Sequence, residues 1–433
     1  MSRTYRETGL SWASKIPGNW RTIPNKYIFS KTKNVVGKYN KEPILSLTIN
    51  GVKVRNEEEF KGKKAISYDD YQICYPGNLL MCLFDIDVTP RCVGLIEGCG
   101  LTTSAYTQFE VADGNDAKYY YYYYLSLDYT KTLLHLSRNI RSSLTADDFG
   151  RIYTIQPPLP EQHAIVRYLD SKCAAIDEAI ERHKKIIEKL EEYRTCKISH
   201  ITVNGLNPDA ATKDSGIEWA GQIPATWKVS PLKSLFTFGK GLSITKADLV
   251  EKGVPVLSYG QIHSKRNLKT EISEDLIRFV PLDMAVRHTD SLAAINGFIF
   301  ADTSEDMAGC GNCNYVNRPG VYGGYHTVVL KPNTSDDNKY LAYLFQTDAW
   351  RYQIRKELTE VKVFSVSQKV LKSTQVLLPP QQEQRAIVSY LDALCENISS
   401  RISMHANIIE KLEEYRKSVI YHAVTGKIDC REE

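Results

Sequence analysis

Two stretches of this chain carry apolar residues at heptad spacing, with charged residues filling the positions between them. Val166, Leu169, Cys173, Ile176, Ile180, Ile187 and Leu190 make one stripe, and Val388, Leu391, Cys395, Ile398, Ile402, Ile409 and Leu412 make the other. That period predicts two amphipathic helices of coiled-coil type. Pro160 and Pro380 stand at their starts, where a missing N–H costs nothing. A helix of about 40 residues is roughly 60 Å long at 1.5 Å per residue, and it cannot bury its apolar stripe by itself. Elsewhere the pattern changes to short apolar runs bounded by Gly, Pro and Asn, such as GNLLMCLF, GVPVLSYG, GFIFAD and GVYGGYHTVVLKP, which read as strands. The stretch from Asn338 to Glu357 reads as helix between them. The expected fold class is therefore mixed α/β, interrupted twice by a long helix.

The two long helices are copies of one another. The segment Glu161 to Arg194 returns 222 positions later, without a gap, as Glu383 to Arg416, and 21 of the 34 positions are identical. A second echo relates Thr8–Phe29 to Ser215–Phe236, with nine of 22 identical at an offset of 207. The chain thus runs leading segment, variable region, helix, then all three again. The domains expected from this order are a first head at 1–158, a first helical region at 159–205, a second head at 206–380 and a second helical region at 381–433. The first helix leaves the first head and ends at the second. If pseudo-twofold symmetry closes the molecule, the second helix ends beside the first head, so the two pair antiparallel as a rod. His183 and His405 fall at equivalent core phases and read as half-buried rod residues.

Composition narrows the function by exclusion. The 433 residues are 42% apolar and 24% charged, which is globular composition with enough chain for two or three domains. A net charge of +4 is too small to announce a nucleic-acid binder in bulk. The charge is not even, however: residues 1–158 carry +4, 159–200 carry none, 201–378 carry +2 and 379–433 carry −2, so both heads are basic and the helices are not. No apolar run approaches the ~18 residues of a membrane span, and the start MSRTYRE is polar. Ten scattered cysteines read as reduced thiols, so the expected compartment is a cytoplasm.

Catalytic motifs are missing. There is no phosphate loop, because Gly-Lys pairs such as those at Gly37, Gly239 and Gly426 lack its spacing and following hydroxyl, and Gln156-Pro157-Pro158-Leu159 lacks both an amide or carboxylate of the right length and the aromatic ring of an amino-methyltransferase tetrad. The CxxC at Cys310 and Cys313 has no partner pair and reads as a Gly-rich loop rather than a metal site. The run Tyr119–Tyr124 invites a base-stacking reading, yet its counterpart around Tyr340 looks like an amphipathic helix, which favours core packing. What remains is polar and basic loop material. Lys53, Arg55, Lys61, Lys63 and Lys64 cluster in the first head; Gln261, His263, Lys265, Arg266 and Lys269 do so in the second. Arg and Lys can bind guanine, Gln can pair with adenine, and further Lys can anchor phosphates.

The motifs PPLPEQHAIVRYLD, IIEKLEEYR, SGIEWAGQIPATWKV, LLPPQQEQRAIVSYLD and HAVTGKID, in this order along the whole chain, resemble the specificity subunit of Type I restriction-modification enzymes. The resemblance implies two target-recognition domains, each reading one half of a bipartite double-stranded DNA target, and antiparallel helices that measure the spacer between the halves. It implies no catalytic residue and no cofactor in this chain. S-adenosylmethionine, ATP and Mg would be used by partners: two copies of a modification (methyltransferase) subunit and a restriction (translocase-nuclease) subunit, in a bacterial or archaeal cytoplasm. The duplicated helix faces around Glu191 and Glu413 are the candidate docking surfaces. Recognition residues are not carried over, since they vary with the target. Lys53, Arg55, Lys63, Lys64, Gln261, His263, Lys265 and Arg266 are candidates by composition and loop context alone. The competing reading is a scaffold with two protein-binding heads on a coiled coil; sequence-specific DNA binding separates the two.

Overall fold

The structure is a computed structural model that describes residues 3–56, 66–137, 142–334, 336–358 and 363–432. Two helices dominate it, Leu159–Asn204 and Gln381–Val424. The chain folds as two compact units, one made of Met1–Lys184 with Ala406–Glu433 and the other of Lys185–His405, so each long helix passes from one unit to the other. None of the described helices is long and apolar enough to cross a membrane.

Each unit contains a head built to the same plan. In the first, a four-stranded antiparallel sheet has the order Phe29–Thr32, Thr107–Val111, Leu79–Met81, Val93–Leu95. In the second, the order is Phe236–Lys240, Thr327–Pro332, Phe298–Ala301, Cys313–Tyr315, again antiparallel throughout. The leading segments also match. Tyr5–Leu10 pairs with Ala13–Pro17, and Thr212–Asp214 pairs with Gln222–Pro224. The next strand of each head returns to pair with the strand that immediately precedes its long helix: Arg21–Pro24 with Tyr153–Gln156, and Lys228–Pro231 with Gln375–Leu378. The apolar runs read as strands are strands. The variable regions therefore share the order of their main sheet, which their residues conceal, while the smaller sheets differ between them.

The tyrosine run is core. Helix Ala117–Tyr129 is capped by Asp116, whose side chain accepts from the backbone N–H of Lys118 and Tyr119. Tyr119, Tyr120, Tyr122, Tyr123 and Tyr124 are all buried. A ring can be buried this way only if its hydroxyl is satisfied. Tyr124 donates to Asn25 Oδ1 at 2.6 Å, Tyr120 to Asn115 Oδ1 at 3.2 Å, and Tyr123 accepts from the Trp12 indole at 2.9 Å. The stretch from Asn338 to Glu357, expected as one helix, is two: Lys339–Leu344 and Asp348–Arg355. Thr347 divides them, because its hydroxyl donates to the Leu344 carbonyl at 2.7 Å and accepts from Trp350 N, ending one helix and capping the next.

The heads are fastened to the long helices by one set of bonds made twice. In the first unit Lys118 and Tyr122 both reach Asp170, with Nζ···Oδ2 at 2.8 Å and the hydroxyl donating to Oδ1 at 2.7 Å. In the second, Lys339 and Tyr343 reach Asp392 at 2.7 and 2.5 Å. Another tyrosine in each head donates to the last turn of the other long helix: Tyr119 to the Val424 carbonyl at 3.2 Å, and Tyr340 to the Thr202 carbonyl at 2.7 Å. Each head thus holds the start of one helix and the end of the other. In the first unit Val166 and Leu169 share a core with Val419, Ile420, Ala423 and Val424, while Asp177 pairs with Arg416; in the second, Ile198 and Ile201 share a core with Ile387 and Leu391. Sequence numbers rise along one helix as they fall along the other, so the pairing is antiparallel in both units.

Both helices end on a glycine with positive φ, Gly205 at 76° and Gly426 at 74°, as a left-handed cap requires. Each glycine lies against the Pro and Trp of a leading segment. A Cβ on Gly426 would meet the Pro17 ring at 2.4 Å, whereas on Gly205 the nearest atom is Oε1 of Glu383 at 2.9 Å. A left-handed alanine costs about 1–2 kcal/mol at either site. Gly426→Ala should cost more than Gly205→Ala in denaturant unfolding, because a proline ring cannot swing aside and a carboxylate can; equal losses would refute this packing account. Removing the carboxylate of either clamp, Asp170→Ala or Asp392→Ala, should cost roughly 1.5–3 kcal/mol, as for bonds to a charged acceptor. Urea titration of the two variants checks both the size and the expected similarity.

Candidate nucleic-acid interface

In the first head the candidates fall on a β-hairpin, Leu45–Thr48 paired with Gly51–Val54. Gly51, at φ 89°, closes its tight turn, and Arg91 Nη2 donates to the Ile49 carbonyl at the tip at 2.8 Å. Lys53 is exposed on this ribbon. Arg55 is half-buried and spends its Nε on Ser46 Oγ at 3.2 Å. A two-stranded ribbon is an element that a major groove admits, and Lys53 is the cation it presents. Lys63 and Lys64, with Lys61, lie outside the described residues.

In the second head the candidates sort into structural and available groups. Gln261 belongs to a capping box: its Oε1 accepts from the Ser258 backbone N–H at 3.1 Å. His263 is also committed. Its Nε2 faces the Thr303 carbonyl at 2.8 Å, an acceptor only, so Nε2 carries the proton and Nδ1 accepts from the Asn312 amide at 3.0 Å. These two side chains shape the loop. Lys265 and Arg266 are exposed; Arg266 pairs with Asp275 at 2.7 Å, and both of those side chains are largely solvated, so the pair is weak. Lys269 is half-buried with φ 66°.

Sequence reasoning missed a polar and aromatic group on the same head. Tyr325 and His326 are exposed, with ring centroids 4.0 Å apart, and Tyr259 lies 6.0 and 5.7 Å from them. His326 sits at φ 53°, a left-handed conformation that a non-glycine residue holds only when its surroundings insist. Its Nδ1 bonds Asp302 Oδ1 at 3.0 Å, and the Thr303 hydroxyl donates to the same carboxylate oxygen at 2.8 Å. The imidazole Nε2 has no hydrogen-bond partner among the described residues. The signal in the sequence was the pair Gly323-Gly324 just before. A Cβ on Gly324 would lie 2.2 Å from Ser258 Oγ, so only glycine lets this turn close against the Ser258 loop.

On the long helices the apolar stripe is buried most deeply near the heads. Val166, Leu169, Ile176 and Ile180 are buried on the first helix and Leu391 and Ile398 on the second, whereas Ile187, Leu190, Val388, Ile402, Ile409 and Leu412 are half-buried. His183 and His405 are half-buried too. Glu191 and Glu413 are exposed, as a docking face requires and as a solvated helix also shows. Cys310 and Cys313 are buried, and burial pushes the Cys313 thiol up to about 12, far from a reactive thiolate.

Comparison with known proteins bears on this arrangement directly. The family model for the Type I restriction modification DNA specificity domain matches residues 93–192 and 224–414. The chain is 23% identical over 284 residues to the Type I restriction enzyme MjaVIII specificity subunit of Methanocaldococcus jannaschii, covering 65% of this chain and 63% of that protein. It is 21% identical over 218 residues to the Type I restriction enzyme EcoKI specificity subunit of Escherichia coli K12, covering 48% and 45%. The matches thus span less than two thirds of either relative's length. Among solved structures, a chain from a study of complex assembly and conformational transition of the type I R-M system superposes with a TM-score of 0.70 at 14% identity, covering 95% of this chain and 99% of that one. The HsdS subunit from Thermoanaerobacter tengcongensis superposes at 0.52 with 14% identity, covering 95% and 98%. At such identities these two likenesses speak to the fold. The family model takes in more than half of the chain, in two blocks that each end in a long helix, and the chain belongs to the Type I restriction modification DNA specificity family.

Proposed function

We propose that this chain is the non-catalytic DNA-specificity subunit of a Type I restriction-modification complex. Each head reads one half of a bipartite target, and the paired helices set the spacing and dock the methyltransferase subunits. The observation that carries this reading is the duplication with divergence. Sheet order, clamps and helix caps recur in both heads, while the surface groups differ: a ribbon bearing Lys53 in one, and Lys265 with Tyr325 and His326 in the other. A repeated frame with unlike surfaces suits two unlike half-sites read by one chain. It also offers two alike docking faces, around Glu191 and Glu413, to two copies of one modification subunit. Methyl transfer, with base flipping and S-adenosylmethionine, falls to those copies. ATP- and Mg-dependent translocation and cleavage fall to a restriction subunit.

Within the second head Lys265 and Arg266 anchor phosphates, while Tyr325 and His326 contact base edges. The exposed, bonded imidazole offers one nitrogen in a fixed direction, which is what discrimination needs; a mobile lysine offers charge without direction.

The genome-wide methylation pattern of cells with and without this chain tests the whole reading: a bipartite adenine motif should vanish on deletion, and an unaltered pattern in cells that express the system would overturn it. Replacing Lys265 and Arg266 together by alanine should weaken DNA binding by the assembled complex and lower the slope of log K against log salt by about 1–2, near one for each phosphate no longer neutralised. His326→Ala should instead relax the methylated motif at one half-site and leave the other half intact, as read by sequencing methylated DNA. Charge reversal at Glu191 and Glu413 should reduce co-purification with the modification subunit.

A further inference from the structure

One of the differences between the two repeated helices removes an ion pair between the long helices from one half. In the first unit Arg416 of the second helix pairs with Asp177 of the first. By the 222-residue repeat, Arg416 corresponds to Arg194 and Asp177 to Ser399. The second unit therefore keeps the guanidinium and has lost its carboxylate. Arg194 makes no hydrogen bond or ion pair among the described residues.

Arg194 and Ser399 line an open pocket of about 830 Å³, bordered by both long helices and by the loop that carries Lys265 and Lys269. The Lys269 side chain likewise makes no hydrogen bond or ion pair among the described residues. Burial, and then the positive charges of Arg351 and Arg194, push its ammonium down to about 8. Arg351, buried behind it, leaves Nη2 unsatisfied after donating Nε to the Phe345 carbonyl at 2.7 Å. The acids of the pocket do not answer these cations. Asp392 is taken by Lys339 and Tyr343, and Glu271 and Glu396 are exposed. Arg194 and Lys269 are thus left without an ion-paired carboxylate among the described residues, and unpaired cations in a half-buried site are costly unless an anion joins them.

We propose that this pocket is a binding site for a phosphate-bearing anion, held by Arg194 and Lys269 in the place that the Asp177 carboxylate fills in the other half. The guanidinium fork can bind two anion oxygens while the ammonium binds a third as a point charge. The source is either a DNA phosphodiester beside the second head or a free phosphate-bearing ligand; the first rests on the proposed specificity function, and the second does not.

The test is Ser399→Asp, which restores the carboxylate of the other half and so should leave folding intact; a melting temperature at or above wild type verifies that. Titration of the full chain with inorganic phosphate by calorimetry should give at least tenfold weaker binding in Ser399→Asp than in wild type, and Lys269→Met should lose binding as well. DNA affinity of the assembled complex at low salt identifies the source. A loss of threefold or more in Ser399→Asp, with a shallower salt dependence, assigns the site to a DNA phosphodiester. Unchanged DNA affinity with lost phosphate binding assigns it to a free ligand. Wild-type behaviour of Ser399→Asp toward both phosphate and DNA overturns the proposal. A complex that binds phosphate but methylates no bipartite motif would overturn the specificity reading and leave the anion site standing.

Discussion

A long helix with a one-sided apolar stripe is unstable in water until something covers the stripe and fixes its ends. Here the stripe is covered by the cores that each head shares with both long helices, and the helices are fixed to the heads by two carboxylates, Asp170 and Asp392, each receiving a tyrosine hydroxyl and a lysine ammonium. The aspartates sit on the long helices and their partners on head helices, so each bond set orients one against the other. A second tyrosine then binds a free carbonyl in the last turn of the opposite helix, Val424 in one unit and Thr202 in the other. Those carbonyls have no partner within their own helix. The head thus completes both helix ends that meet it, and the leading segment, with Trp20 or Trp227 against the capping glycine, closes the joint.

The consequence is a separation of tasks. Residues that make joints are repeated because both joints are the same physical problem. Residues on the outer loops are released from that problem and differ freely. The committed groups Gln261 and His263 belong with the joints and turns: one caps a short helix and the other bridges Thr303 to Asn312. Lys53, Lys265, Tyr325 and His326 are exposed and free of that duty. The exchange of Asp177 for Ser399 is a divergence of a different kind, since it falls on the repeated helices themselves and alters the charge balance of a pocket rather than the packing of a seam.

Electrostatics fits the same separation. The chain as a whole carries +4, with the positive excess in the heads and a small negative excess in the last helix. Exposed pairs along the long helices, such as Lys189 with Glu192 and Arg182 with Glu178, are local i,i+3 and i,i+4 contacts that add little stability. Burial in the first head instead draws on aromatic rings whose hydroxyls are bonded, as with Tyr119, Tyr120, Tyr122, Tyr123 and Tyr124.

Periodicity is a local property, so the chain alone determined the two long helices, their duplication, their register and the strand character of the apolar runs; gapless recurrence over 34 residues left no freedom there. The antiparallel pairing followed from connectivity and symmetry. The shared sheet order of the heads was invisible, because a sheet needs only alternation and volume, which many sequences supply. The candidate site was legible as loops but not as roles. A side chain's availability depends on what distant segments offer it: His263 is occupied because Thr303 and Asn312 fold against it, His326 stands out because Asp302 and a glycine pair hold it, and Arg194 makes no ion pair among the described residues, with a serine at position 399 on the other helix. Sequence by itself determined the frame, since its stripes and caps are set by neighbours along the chain. Only tertiary structure decided which polar groups are spent and which remain for a partner, since hydrogen bonds and charge pairs between remote residues settle that.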